Sequence, residues 1–495
     1  MSMSAAPEVR PPEKSAESRP SRAARSTTDD LGQTLTRLKD AQLRDGPPSL
    51  KERRRRLEKL ERAVVAHQEV IATAMREDFG NKARLEALMS EVYLVVSGAR
   101  HAREHVREWM ATETRDMPLP LLPAHGEVIP QPVGVVGIVS PWNYPINLAL
   151  LPLVGAIAAG NRAMLKPSEL VPKTSAVLAD IVRTAFDPDV VTVIQGDALV
   201  GEAFTRLPFD HLVFTGSTRV GRLVMKAASD NLVPVTLELG GKSPVLLGPD
   251  ANIREVAERV MAGKVWNAGQ TCVAPDYLLA TSDVVESFVT EARRAIKEML
   301  PRMVDNPDYT SIVSDKHYAR LLALIAEARE KEARIEELNS AGEVFPAESR
   351  KLAPTLIVGG PADSMTVMQE EIFGPILPIV TVKSLDEAIA FVNARPRPLA
   401  LYYFGHKAET IDYVLARTSS GGVSVNDTML HGAADELPFG GIGASGMGAY
   451  HGKHGFDAFT KLRPVFYQSR VNARKLLAPP FGKMLATAMR VLIGK

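Results

Sequence analysis

The chain has a single cysteine in 495 residues, which excludes an intrachain disulfide and makes a reducing compartment sufficient. Excess charge of either sign is also missing. Fifty-nine basic residues stand against 58 acidic ones, a net charge of +1, so no global field points to nucleic acid as a partner. No run of about 18 apolar residues free of charge occurs, so a membrane span is not expected. Residues 1–30 are nearly devoid of large apolar side chains and rich in Ser, Ala, Pro, Arg and Glu. Such a segment cannot bury enough surface to order itself, and it lacks the apolar core of a signal peptide. A disordered tail and a cytoplasmic location are the expectations. No internal repeat stands out, and no metal-ligand set is assigned.

What is present is ordinary for a chain with more than one core: 45% hydrophobic and 24% charged residues, enough length for two or three domains. Residues 31–113 follow a helical pattern. Within them, the basic patch at 51–56 is read as a solvated helix face, because Glu52, Glu58 and Glu61 interleave with it and offer local pairs. After a Pro-rich stretch at 117–132, short apolar runs expected as strands (133–139, 162–165, 190–194, 211–214, 233–239) alternate with helical segments. That alternation indicates a parallel sheet covered on both faces, whose ligands sit at the strands' carboxyl ends. A second α/β alternation runs from 243 to about 425, with helices expected at 253–268, 284–299 and 316–339. A Gly- and Pro-rich segment at 437–455 follows, then a strand-like Val465-Phe-Tyr467.

Several motifs carry chemistry. Gly441-Ile-Gly-Ala-Ser-Gly446 matches the dinucleotide fingerprint letter for letter, yet neither a strand before it nor a helix after it is expected, so it is set aside. Phe214-Thr-Gly-Ser-Thr-Arg-Val-Gly221 is the better phosphate candidate: a strand passes through a glycine turn into a helix N-terminus. Taken alone, Gly216 and Ser217 read more readily as a capping turn. Lys166 and Glu169, at the end of the second strand, have the chemistry to meet an adenine ribose; taken alone, they read equally as surface-loop charges. Glu238 closes a strand immediately before Gly240-Gly241, and a partly buried carboxylate there suits a general base, although a lone acid is more often salt-bridged. Asn143, in a turn after the first strand, carries an amide able to donate to an oxyanion. Cys272 sits among Gly, Gln, Thr, Pro and Asp in 267–277 rather than in an apolar run. An amide-rich turn favours partial ionisation of a thiol and hence nucleophilicity, against the plain reading of a buried small hydrophobe.

Together these residues resemble the aldehyde dehydrogenase superfamily over about residues 31–469. The motifs are Pro141-Trp-Asn-Tyr-Pro145, Leu165-Lys-Pro-Ser-Glu169, Phe214-Thr-Gly-Ser217, Leu237-Glu-Leu-Gly-Gly-Lys242, Gly269-Gln-Thr-Cys272 and Glu370-Glu-Ile-Phe-Gly-Pro375, all in family order. The segments around 272–277 and 438–452 are similar to the class 3 branch, which includes fatty, aromatic and bacterial coniferyl aldehyde dehydrogenases.

The resemblance implies an α/β fold of two doubly wound parallel-sheet domains, a variant Rossmann cofactor domain (31–116 and 132–239) and a catalytic domain (240–455). A small β oligomerisation flap (117–131 and 456–470) and an amphipathic C-terminal tail (471–495) complete it. It implies oxidation of an aldehyde, coniferyl or another aromatic or a medium- to long-chain aliphatic one, to the acid through a thioester on Cys272. Asn143 and the Cys272 amide would hold the oxyanion, and Glu238 would activate water. NAD, with NADP as the alternative, would lie on Trp142, Lys166, Glu169, Gly216, Ser217, Leu239, Glu371 and Phe373. A homodimer is implied. In the tail, Phe481, Leu485, Ala488 and Leu492 share a helical face suited to a membrane surface, to gating the substrate entrance or to packing on the dimer. Transfer of the thioester to CoA, and a non-catalytic binding protein on the same fold, remain as rival readings.

Overall fold

The computed structural model describes residues 22–472, 474, 475 and 477–494, and those residues form three sheets. In the first, Val135–Val139, Arg162–Lys166, Val191–Val193, His211–Thr215 and Val235–Glu238 are parallel. The first three strands step outward in one direction and the last two in the other, so the sheet reverses its winding between Val135–Val139 and His211–Thr215. A doubly wound sheet opens a ligand crevice at the carboxyl ends of such a pair. Its strands are apolar along their whole length because both faces are covered: Asn147–Ala159 and Pro172–Ala185 pack on one side, and Leu31, Leu35, Leu38, Phe204 and Val224 on the other.

The helix Asn147–Ala159 shows why sequence and position agree. All thirteen of its residues are buried, so it is apolar around its full circumference rather than along one stripe. Its first amides at Ile146 and Asn147 donate to the buried Glu91 carboxylate at 3.0 and 2.8 Å. At the other end the Arg53 guanidinium donates to Ala158 O at 2.9 Å. Arg53 therefore departs from the solvated face expected for 51–56: it is 3% exposed, because an otherwise orphaned helix-end carbonyl needs a donor. Arg55 and Arg56 do pair locally with Glu52.

The second sheet joins Arg334–Glu337, Thr355–Val358, Ile376–Thr381, Tyr277–Ala280, Pro244–Leu247, Ala400–Phe404 and Gly422–Val425 in that spatial order, parallel except for the first strand. A third, antiparallel sheet of Glu113–Arg115, His125–Pro132 and Thr460–Tyr467 projects Leu462, Phe466 and Tyr467 into the open.

Four details differ from expectation. A helix Arg22–Asp45 begins inside the expected tail, since anchoring of Leu31, Leu35 and Leu38 lets the helix propagate upstream; residues 1–21 lie outside the described chain. The helix expected at 316–339 is Asp315–Glu330, and Glu332 at φ 61° breaks it before an edge strand. The three-stranded sheet starts at Glu113, before the flap boundary at 117. Gly446–Met447, expected in the second domain, pairs antiparallel with Val235–Glu238. The discarded glycine motif is thus an edge turn: a Cβ at Gly446 would overlap Leu237 O. Among the described residues no helix is long and apolar enough to cross a membrane.

Candidate active site

Cys272 follows a turn of three consecutive left-handed residues, Asn267 (φ 50°), Ala268 (φ 50°) and Gly269 (φ 72°). Two of them carry side chains, a conformation that persists only when its surroundings hold it. Those surroundings are specific. Lys82 Nζ donates to Asn267 Oδ1 at 2.6 Å, while Asn267 Nδ2 donates to Gln270 O at 3.0 Å. Gln270 donates to Asn267 O and Ser311 O and accepts from Val313 N, so its amide is saturated. A Cβ on Gly269 would overlap Gly374 O, which makes glycine a packing requirement as well as a conformational one.

The residues around the sulfur are pinned one by one. Asn143 Nδ2 donates to Gln270 O at 3.1 Å, the Tyr144 hydroxyl lies 2.6 Å from Thr271 Oγ1, and the Tyr402 hydroxyl donates to Val273 O. Cys272 itself is half-buried. Burial first, then the Glu371 and Glu238 carboxyls, push its thiol up to about 12, outweighing the Cys272 and Val273 amides that favour the thiolate. The turn supplies the amides expected to favour ionisation, and in the unliganded chain withdrawal from water and two neighbouring acids oppose them.

Glu238 is 2% exposed, and neither of its oxygens has a hydrogen-bond partner among the described residues. Burial alone raises its pKa well above the usual carboxylate range. Glu371 is pushed up to about 8, chiefly by burial and then by Asp276, against the Gly241 amide and the Lys242 and Arg320 charges. Gly240 lies so close that a Cβ there would overlap the Glu371 carboxylate.

Lys242, Asp276 and Ile372 join these pieces. Lys242 Nζ donates to Asp276 Oδ1 and to Val367 O and Glu370 O, and Asp276 Oδ2 accepts from Ile372 N at 3.0 Å. The loop after Glu238, the segment after Cys272 and the segment carrying Glu371 and Phe373 are thereby locked in mutual register.

Trp142 meets Phe373 edge-on at 5.3 Å between ring centroids, and Phe373 holds φ 51°. On the adjacent strand Lys166 Nζ is 3.7 Å from Glu169 Oε2 and donates to Pro167 O at 2.7 Å. Burial lowers the Lys166 pKa and Glu169 opposes it. Gly216 N donates to Glu238 O at 3.0 Å, and Ser217 caps the helix Thr218–Ser229 through Val220 N. Leu239 is buried against Gly221, where a Cβ would collide with it.

Lys82, Glu91, Lys242, Asp276, Tyr402 and Tyr450 were not singled out from sequence. Tyr450 is buried, its hydroxyl has no partner among the described residues, and its pKa is raised by burial first and then by the Glu238 and Cys272 charges. Asp276 and Lys242 did stand inside quoted motifs. The signal that points to them is a lone acid and a lone base each next to a glycine or proline turn, where a purely solvated role is not required.

The crevice fits a dinucleotide. Ser140 Oγ and Thr215 Oγ1, at the carboxyl ends of the two strands where the winding reverses, and Glu371 Oε1, beside Gly240, are buried without partners among the described residues. Buried polar groups left open in this way await a polar ligand, and the Ser217-capped helix offers free amides to an anion.

The aldehyde dehydrogenase family matches residues 8–465. The chain belongs to this family. It is 48% identical to coniferyl aldehyde dehydrogenase of Pseudomonas sp. (strain HR199 / DSM 7063) over 94% of this chain and 96% of that one. It is 40% identical to aldehyde dehydrogenase family 3 member A2 of Macaca fascicularis, covering 90% of each chain. The substrate-bound structure of Staphylococcus aureus AldH superposes with a TM-score of 0.86 at 40% identity, over 92% of this chain and 98% of that one. The two doubly wound sheets are the aldehyde dehydrogenase fold, and the chain is an aldehyde-oxidising enzyme of the class 3 type that uses a nicotinamide dinucleotide.

Proposed function

We propose that this aldehyde dehydrogenase oxidises coniferyl aldehyde or a closely similar aromatic aldehyde, with Cys272 as nucleophile and Glu238 as the base that admits water. The observation that carries the assignment is the buried Glu238 carboxyl with both oxygens unspent, close enough to Cys272 to act on its charge. A structural acid in that position would have partners.

Cys272 hands its proton to a neighbouring carboxylate and its sulfur attacks the aldehyde carbon. Asn143 has committed one amide hydrogen to Gln270 O and keeps the second for the oxyanion. The Cys272 amide supplies the other donor. Bound NAD(P) provides the hydride acceptor. Glu238 then takes a proton from water as the water oxygen attacks the thioester carbon, releasing the acid and restoring the thiol. CoA transfer has no use for such a base, and Glu238 is the residue that argues against it.

Lys166 and Glu169 would hold the adenosine ribose, Gly216 and Ser217 the pyrophosphate, and Trp142, Leu239, Glu371 and Phe373 the nicotinamide end. A carboxylate at 169 pairs with a free 2'-hydroxyl and repels a 2'-phosphate, so NAD is the preferred cofactor. The three-stranded sheet, with Leu462, Phe466 and Tyr467 uncovered, forms the homodimer contact. The helix Lys483–Ile493, which buries no residue in the single chain, packs on the partner subunit.

Initial rates with coniferyl, benzyl-type and medium-chain aldehydes, read as kcat/KM with NAD and with NADP, with and without CoA, test this reading. Coniferyl aldehyde with NAD is expected to lead, without dependence on CoA. Strict CoA dependence, or full activity of Cys272→Ala, overturns it.

A further inference from the structure

Outside the crevice, the helix Leu94–Trp109 carries His101 and His105 one turn apart, facing the segment that bears Glu436. One donor atom from each of the three lies within 4.8 Å of the other two. His101 Nε2 stands 3.5 Å from Glu436 Oε1. The edge of a tetrahedron with bonds of roughly 2.1 Å is about 3.4 Å long. His105 Nδ1 donates to the His101 carbonyl at 2.9 Å, which puts the proton on Nδ1 and leaves the Nε2 lone pair for a ligand.

The site is also restrained. The two imidazoles lie 4.3 Å apart, and Trp109 stacks on His105. Glu436 is exposed, but its neighbour Asp435 accepts from Ser97 Oγ at 2.8 Å, fixing the segment to the same helix. The nearby Arg100 and Arg103 are both engaged by Glu61, so their charge is already paired. A plain surface ion pair between His101 and Glu436 accounts for two of the three groups, whereas the Nδ1 hydrogen bond and the Trp109 stack hold His105 with its Nε2 free beside them.

We propose that His101, His105 and Glu436 form a site for a divalent first-row metal ion of the zinc type, with water completing the coordination. Two imidazoles and a carboxylate suit Zn²⁺ or Co²⁺ far better than Mg²⁺ or Ca²⁺, which take oxygen ligands. An ion there ties residues 434–437 to the helix. That segment runs between His431, 6.2 Å from the Tyr402 ring, and Phe439, 5.9 Å from the Tyr450 ring. Metal occupancy therefore stiffens one wall beside Cys272 without touching the reacting groups, and the site stands independently of the substrate assignment.

The test uses tag-free protein carrying Cys272→Ala, which removes the competing thiol, titrated with Zn²⁺ against a chromophoric chelator and with Co²⁺ by visible absorbance. One ion per chain and a rise in Tm on adding Zn²⁺ are expected. Adding His105→Asn, or His101→Asn, is expected to cost at least tenfold in affinity while the metal-free Tm stays unchanged. Parental affinity retained with both histidines replaced overturns the site, as does failure of the Cys272→Ala parent to bind Zn²⁺ stoichiometrically.

Discussion

Lys82 Nζ donates to Asn267 Oδ1 at 2.6 Å across 185 residues of sequence, tying the first helical segment to the left-handed turn that presents Cys272. The ammonium is fully enclosed, and burial lowers its pKa against the pull of Glu86 and Glu91. Lys82→Met leaves Asn267 Oδ1 without its donor and takes the cation from Glu86, which keeps its bonds from Asn267 N and Thr310 Oγ1. Breaking a buried charged hydrogen bond of this kind costs about 3 kcal/mol, so urea melts should show a loss of that order. The turn loosens with it, so kcat is expected to fall at least tenfold with a smaller change in KM. A melt and a kcat both equal to wild type would show that the turn holds itself.

Asp276 presents the same logic on the other side of the cysteine. It is nearly fully buried between Lys242 and the Ile372 amide. Asp276→Asn keeps the shape and removes the charge, leaving Lys242 with two carbonyls and no counter-ion. The expected destabilisation is about 3 kcal/mol, with the Glu371 segment released from its register. Raised B-factors or faster amide exchange at 370–373 in the variant would report that release directly.

How much of this was legible in the sequence depends on the distance over which each residue acts. Glu238 at a strand end before two glycines, and Cys272 after a helix-ending turn, are local patterns, and the structure brings them together at one cleft. Lys82 is equally local in appearance, a lysine after Gly80-Asn81, but its meaning lies 185 residues away and no periodicity reports it. The stretch Arg334–Glu337 illustrates the opposite failure. It falls inside the helix expected at 316–339, yet pairing with Thr355–Val358 at a sheet edge outweighs that local preference. Gly446–Met447 was obscured because its partner strand belongs to the other domain.

Glu238→Gln separates the two halves of the reaction. Acylation proceeds, water is no longer activated, and the thioester should accumulate as a stoichiometric burst followed by turnover reduced by about two to three orders of magnitude. Mass spectrometry of the quenched enzyme reads the adduct directly. Stability supplies an independent readout. The folded-state pKa of Glu238 is raised, so ionising it costs folding free energy, and wild type loses stability as pH rises through that pKa. The Tm of Glu238→Gln minus that of wild type should therefore grow as pH rises above the ordinary carboxylate range. A flat difference would mean that the carboxyl is solvated in the folded enzyme.

The exposed strand Thr460–Tyr467 yields a prediction about assembly. Leu462 and Phe466 are 57% and 47% exposed, on a sheet that leaves them uncovered in the single chain. Phe466→Glu should shift the sedimentation coefficient toward that of a monomer while leaving the far-UV CD spectrum unchanged. A variant that still sediments as the parent does would move the dimer contact elsewhere.

Alkylation of Cys272 by iodoacetamide reports its ionisation. In the unliganded enzyme burial, Glu371 and Glu238 hold the thiol up to about 12, so inactivation should be slow near neutrality and climb steeply with pH. Glu371 titrates at about 8 and repels the thiolate only once it is ionised. Above that pH Glu371→Gln removes an anion beside the sulfur, favours the thiolate, and moves the inactivation profile to lower pH. Below it the carboxyl is already neutral, and the two proteins should react alike. Identical inactivation profiles for the two proteins above that pH would show that Glu371 does not act on the sulfur and leave Glu238, the other carboxyl acting on it, as the acid to test.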